Sequence, residues 1–199
     1  MIAIIDYGMG NLRSVLKAFE AVGAKAQVTQ KVSDILNAQS VVLPGVGAMG
    51  AAMQKLQELA LTGPIRKVIT DGKPFLGICL GMQLLFERSS EGGSSDGLRI
   101  LEGSVERFNT LKVPHMGWNQ VDIQPNGSQM FQGLSSGDNV YFCHSYFVKP
   151  KEVSITAGIT NYGIDFVSAV VRDNVWGVQF HPEKSQRSGL QILKNFAQL

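Results

Sequence analysis

Three separated stretches of the chain carry residue types that could do covalent chemistry together. The first is Gly77-Ile78-Cys79-Leu80-Gly81. It follows an apolar run, Phe75-Leu76-Gly77-Ile78, and precedes a helical pattern over Leu80 to Glu87, so Cys79 falls on a sharp strand-to-helix turn. Such a turn projects the side chain from the carboxyl edge of a sheet, and it needs small flanking residues to relieve crowding. The helix N-terminus favours thiolate over thiol, and the Leu80 N–H is placed to help bind an oxyanion. Taken alone, the stretch fits equally well a buried cysteine in an ordinary turn.

The second stretch is Phe180-His181-Pro182-Glu183. Residues two apart on an extended chain point the same way, so His181 and Glu183 share a face at a strand end. Alone, this reads more readily as a strand-end turn. Beside a cysteine elbow it supplies the base and the orienting carboxylate of a Cys-His-Glu triad. The third stretch, Pro44-Gly45-Val46-Gly47, lies between a strand and a helix. Its backbone N–H groups could face a developing negative charge. No lysine follows at the spacing a phosphate-binding loop needs.

The elements that must position these groups alternate in type. Ile2–Ile5, Ala26–Thr29, Val41–Leu43 and Phe75–Ile78 read as strands. Leu12 to Val22, Met49 to Leu59, Pro64 to Thr70 and Leu80 to Glu87 read as helices, with Gly23 closing the first. Uninterrupted apolar strands between amphipathic helices imply a parallel sheet covered on both faces. After a Ser/Gly-rich loop over Ser89 to Gly97, strands crowd together at Ser104–Phe108, Gln120–Ile123, Val140–Tyr146, Ser154–Thr160, Phe166–Arg172 and Val175–Phe180. Turn signals separate them, and a last helix carries Leu190, Leu193 and Phe196. The expected fold class is α/β: a mostly parallel central sheet flanked by helices, with an antiparallel extension, in a single domain over residues 1–199.

Composition narrows the partners. A net charge of +2 over 199 residues argues against a polybasic nucleic-acid binder or an acidic tail. Charged residues make up 17% and hydrophobic ones 44%, so a substantial core or a covered face is expected. No apolar run reaches the ~18 residues that would cross a bilayer. The start, with Asp6 after a short apolar run and no basic segment, does not read as a signal peptide. A cytoplasmic location follows as the expectation. Cys79 and Cys143 make no disulfide framework, and the three histidines and two cysteines show no metal-ligand spacing, so neither metal nor cofactor is expected. His115 and His144 read as structural histidines, and Cys143 as a small buried hydrophobe.

Pro44-Gly45-Val46-Gly47, Gly77-Ile78-Cys79-Leu80-Gly81-Met82-Gln83 and Gln179-Phe180-His181-Pro182-Glu183-Lys184-Ser185 together resemble the class I, or triad, glutamine amidotransferases. Pro114-His115-Met116-Gly117-Trp118-Asn119 and Tyr141-Phe142-Cys143-His144-Ser145-Tyr146 are similar to one branch, the glutaminase subunits of imidazole glycerol phosphate synthases in histidine biosynthesis. The anthranilate synthase branch usually has His where this chain has Met82, and a catalytically silent subunit on the same fold is a further alternative.

The resemblance implies that Cys79 attacks the side-chain amide of glutamine, His181 moves the proton and Glu183 orients His181. It implies an oxyanion hole at Val46, Gly47 and Leu80, reoriented at Val46 when a partner signals. Substrate contacts are implied at Gln83, Glu91, Ser145 and Tyr146. It further implies a heterodimer with a (β/α)₈-barrel cyclase subunit that takes up the ammonia, with Asn11, Trp118, Tyr141 and Lys184 at or near the interface.

Overall fold

The computed structural model describes every residue except Thr110. Along the chain, β1 (Ile2–Ile5), α1 (Leu12–Ala21), β2 (Ala26–Thr29), α2 (Val32–Asn37), β3 (Ser40–Gly45), α3 (Met49–Glu58), α4 (Thr62–Thr70), β4 (Phe75–Cys79) and α5 (Leu80–Gln83) form the first half. Strands β1, β3 and β4 are buried along their whole length, which is why their sequences are continuously apolar rather than alternating. Their side chains divide between two faces. Ala3, Ile5, Val41, Leu43 and Phe75 meet the helices α2, α3 and α4. Ile2, Ile4, Val42, Leu76 and Ile78 meet α1 and the last helix.

The second half runs β5 (Arg88–Ser89), β6 (Ser95–Asp96), β7 (Gly103–Arg107), β8 (His115–Ile123), β9 (Asp138–His144), β10 (Tyr146–Pro150), β11 (Thr156–Asn161), β12 (Asp165–Arg172), β13 (Val175–Val178) and α6 (Gln186–Ala197). Strands β2, β1, β3, β4 and β13 are parallel neighbours. Beyond β13 the pairing turns antiparallel through β12, which meets both β10 and β11; β11 leads on to β8 and β9. The expected α/β sheet with an antiparallel extension is therefore present. The α1 and α6 helices pack together, with Phe19 and Phe196 ring centroids 6.3 Å apart.

Three local expectations need correction, and one helix, α2, was not expected. The helix expected over Leu80 to Glu87 closes at Gln83. The carbonyls of Leu84, Leu85, Phe86 and Glu87 accept hydrogen bonds from amides of residues 97–101, so they are unavailable for further helical turns. The supposed loop over Ser89 to Gly97 contains a small antiparallel pair, β5 with β6. The single strand expected over Val140–Tyr146 is broken at Ser145, where the chain leaves β8 for β7 and β12. Helix α2 gave little signal because Ile35 is its one buried side chain.

Candidate active site

Cys79 ends β4 with φ 53° and ψ −110°, a conformation that side-chain-bearing residues rarely hold and that costs about 1–3 kcal/mol. Its surroundings enforce it. The ladder between β3 and β4 runs on to pair Gly45 with Cys79. A Cβ at Gly81 would lie 1.7 Å from the Leu43 carbonyl oxygen, and one at Gly77 would lie 2.6 Å from that of Gly81. The glycines therefore allow backbone to cross backbone tightly enough to turn the cysteine outward.

His181 follows β13 and is nearly inaccessible to solvent. Its backbone N–H donates to the Tyr141 carbonyl at 2.9 Å. The Ser185 hydroxyl donates to the His181 carbonyl at 2.7 Å and accepts from the Tyr141 N–H at 2.9 Å, which pins the segment to β9. Nδ1 of the ring lies 2.9 Å from Glu183 Oε1, leaving Nε2 as the nitrogen for Cys79. The two residues meet across a short 3₁₀ turn, Pro182–Lys184, and not along an extended strand as their two-residue spacing suggested.

Burial alone pulls the His181 pKa down. Hydrogen bonds to Cys79 and Glu183, together with their charges, outweigh it and leave the pKa raised. The Glu183 side chain is buried, and its Oε2 has no hydrogen-bond partner among the described residues. An orphaned carboxylate oxygen in a dry site favours a positive neighbour, here the imidazolium.

Cys79 and His181 lie at one cleft of about 450 Å³, lined also by Val46, Gly47, Leu80, Gln83, Glu91, Ser145, Tyr146 and Lys184. A larger cavity of about 720 Å³ lies against β7, β10, β11 and β12, but its lining holds no cysteine or histidine. The cysteine and histidine thus gather at the smaller cleft.

Comparison with known proteins matches this arrangement to a family. The profile of "Glutamine amidotransferase class-I" matches residues 3–199. The chain belongs to the class I glutamine amidotransferases. It is 53% identical, over 100% of both chains, to "Imidazole glycerol phosphate synthase subunit HisH" of Syntrophotalea carbinolica. It is 54% identical to the protein so named in Geobacter metallireducens, over 98% of this chain and 97% of that one. Among solved structures, "Crystal structure of glutamine amidotransferase" superposes with a TM-score of 0.78 at 17% identity over 100% of both chains. A "Trypanosoma brucei CTPS - glutaminase domain with bound acivicin" gives 0.68 at 16% identity over 99% of this chain and 93% of that one.

In this amidotransferase the other expected residues fall in two groups. Gln83 is buried, and its Nε2 donates to the Tyr146 carbonyl at 3.0 Å and to Gln179 Oε1 at 2.9 Å. Glu91 Oε2 accepts from the Met49 N–H at 2.7 Å, at the start of α3. Glu183 sits behind His181, and Asn11, Trp118 and Tyr141 are not part of the cleft lining. Trp118 and Tyr141 pair across β8 and β9, edge to face at 6.1 Å, and Lys184 Nζ stands 5.7 Å from the centre of the Tyr141 ring. Trp118 is 49% exposed and Met116 61%, two residues apart on β8, and Val46 at the cleft is 43% exposed. Asn11 is exposed at the start of α1.

Cys143 departs from expectation. It faces the same way as Tyr141 and Trp118, is partly exposed and lines the cleft, because alternation along β9 puts it on the outward side. His115 and His144 are buried as expected. His144 Nδ1 lies 2.8 Å from the Tyr146 carbonyl, which can only accept, so Nδ1 carries the proton. His144 Nε2 then accepts from His115 Nδ1 at 2.9 Å, and Asn119 Nδ2 donates to His115 Nε2 at 3.2 Å. Burial lowers the pKa of His115 to about 4 and of His144 to about 3, so both rings are neutral.

Two residues at the site gave no signal of their own. Tyr7 is buried, its hydroxyl has no partner among the described residues, and burial, then the Cys79 charge, raise its pKa. Its hydroxyl oxygen would lie 2.3 Å from a Cβ added at Gly45. Gln179 is fully buried, and its Nε2 lies 3.6 Å from Cys79 Sγ. Its two-residue spacing from His181 was the available clue.

Proposed function

We propose that this chain is the glutaminase subunit of an imidazole glycerol phosphate synthase. It hydrolyses glutamine to glutamate and ammonia and passes the ammonia to a (β/α)₈-barrel cyclase subunit in cytoplasmic histidine biosynthesis. The observation that carries the proposal is the His181 ring held against Glu183 beside Cys79 at one cleft, in a chain whose whole length matches relatives named as that synthase's subunit.

In this reading residues 1–199 act as one domain. The Cys79 proton passes to His181, and the sulfur attacks the glutamine amide carbon. Charge collects on the amide oxygen, within reach of backbone N–H groups of Val46, Gly47 and Leu80; losing one such donor typically lowers the rate ~10²–10³-fold. Protonated by His181, the amine leaves as ammonia, and a γ-glutamyl thioester remains on Cys79. Water, deprotonated by His181, then releases glutamate and restores the thiol.

Glu91 has one carboxylate oxygen on the Met49 amide and the other for the substrate ammonium. Gln83 uses its Nε2 internally and presents Oε1 to substrate, and the backbone of Ser145 and Tyr146 holds the α-carboxylate. Asn11, Trp118, Tyr141 and Lys184 border the docked cyclase, where an exposed tryptophan with a cation beside an aromatic suits an interface anchor. A cap over the mouth keeps ammonia out of bulk water. No cofactor, nucleic acid or membrane enters this scheme.

The test is co-expression of Cys79→Ala with the cyclase. Glutamine-dependent synthesis should fall by at least about 10⁴-fold while ammonia-dependent synthesis stays within twofold of the parent. Equal loss of both activities would contradict the proposal.

A further inference from the structure

We infer that Gln179 is a second hydrogen-bond donor to the nucleophile, a group that touches the reacting sulfur and stabilises it as thiolate while His181 holds the proton. The inference rests on Cys79 being the nucleophile of the proposed glutaminase, and extends that site by one residue.

The orientation of the Gln179 amide follows from its neighbours. The Tyr146 carbonyl accepts only, so the Gln83 group facing it at 3.0 Å must be its NH₂. The same NH₂ faces Gln179 at 2.9 Å, so the Gln179 atom there is the oxygen. The remaining end of the Gln179 amide, its own NH₂, is therefore the one 3.6 Å from Cys79 Sγ. The backbone closes the arrangement: the Gln179 N–H donates to the Ser168 carbonyl at 2.9 Å, and the side chain is wholly buried. His144 Nδ1 donates to that same Tyr146 carbonyl at 2.8 Å, which fixes the acceptor in place. An unbroken line of hydrogen bonds thus runs from Asn119, next to the exposed Trp118, through His115 and His144 to the Tyr146 carbonyl, and on through Gln83 and Gln179 to the sulfur.

The chemistry gives the donor a purpose. An N–H aimed at sulfur gains little from a thiol and much from a thiolate, because charge-assisted hydrogen bonds are about twice as strong as neutral ones. Gln179 gives up no proton. It lowers the free energy of the sulfur anion twice: before attack on the amide, and again when water expels that sulfur from the thioester.

Alkylation of the two cysteines by iodoacetamide across pH, followed peptide by peptide in the purified chain, tests the assignment. Gln179→Met keeps the volume and removes the N–H. It should move the midpoint of the Cys79 profile up by about one pH unit, the size expected for a lost hydrogen bond to a charged group. Gln179→Glu should move it further, and the Cys143 profile should stay put in both. In the complete synthase, kcat for glutamine should fall about tenfold in Gln179→Met, with KM within twofold. A folded Gln179→Met chain whose Cys79 profile coincides with the parent's would overturn the inference. Should that variant fail to fold, Gln83→Met removes the brace and leaves the donor. A Cys79 shift of the same sign supports the inference, and an unmoved profile defeats it. Alkylation needs no turnover, so a parent synthase that lacked glutaminase activity would sink the function proposed above and leave this result to be judged separately.

Discussion

The two walls of the cleft are built on opposite plans. The Cys79 wall is made of parallel strands buried on both faces, a strained turn and glycines at backbone crossings. The β8–β9 wall alternates. His115 and Val121 face the core, while Met116 and Trp118 stand in solvent. On the proposed function, the difference says where each kind of work would be done. Moving a proton between sulfur and imidazole needs a dry, rigid frame, where every group has one allowed position. Meeting a partner needs side chains whose burial is still to come.

The comparison can be broken at its rigid side first. His181→Ala removes the proposed base from the dry wall. Because such groups act as a unit, glutaminase activity of the stimulated complex should fall nearly as far as in Cys79→Ala. Residual activity within a few-fold of the parent would mean that His181 has another role. The melting temperature should fall as well, because Glu183 is left buried without its cation, so activity is compared at a temperature where the variant is folded.

The buried histidine pair sharpens the comparison from the alternating wall. Both rings are held neutral by burial, His115 with a pKa near 4 and His144 near 3 against an ordinary 6.5. The unfolded chain therefore takes up protons below pH 6.5 that the folded chain refuses. The stabilisation is complete above pH 6.5 and is lost as pH falls toward 3–4, by up to ~1.4 kcal/mol per histidine per pH unit. Below neutrality the melting temperature should fall by about 2–4 °C per kcal/mol on account of this pair, whereas above it the raised His181 pKa makes stability fall again as pH climbs, since the unfolded chain gives up that proton first. In His144→Gln that acid limb should flatten; a limb as steep as the parent's would remove His144 from the explanation. His181, with its raised pKa, adds nothing to this limb because it is protonated in both states there.

The smallest effect on the chain itself belongs to the exposed side. Trp118→Ala should leave the melting temperature within about 1 °C, yet weaken association with the cyclase by about tenfold or more, as truncation of an interface tryptophan does. Calorimetric titration reads both the affinity and the stoichiometry. Unchanged affinity would move the interface away from β8.

Much of this was legible in the chain. The buried strands announced themselves as unbroken apolar runs, and the Gly77-x-Cys79-x-Gly81 stretch stated its own turn, because only glycine fits the two backbone crossings. What stayed hidden depended on partners distant in sequence. The short α5 was unreadable because Leu84 to Glu87 carry helix-forming residues whose carbonyls are claimed by amides of residues 97–101. The exposure of Cys143 followed from which face of β9 is outward, set by pairing with β8. The two-residue spacing of Gln179 from His181 hinted at a shared side, but only folded neighbours distant in sequence show that Gln179 faces sulfur and Tyr7 faces Gly45.

The central claim is that the Cys79 sulfur is the atom that bonds to glutamine. Labelling the cyclase complex with an electrophilic glutamine analogue, then locating the adduct by peptide mass, addresses it directly. The account predicts an adduct on Cys79, suppressed by excess glutamine and absent in His181→Ala, with Cys143 unmodified. An adduct confined to Cys143, or one on Cys79 that glutamine fails to suppress, would contradict it.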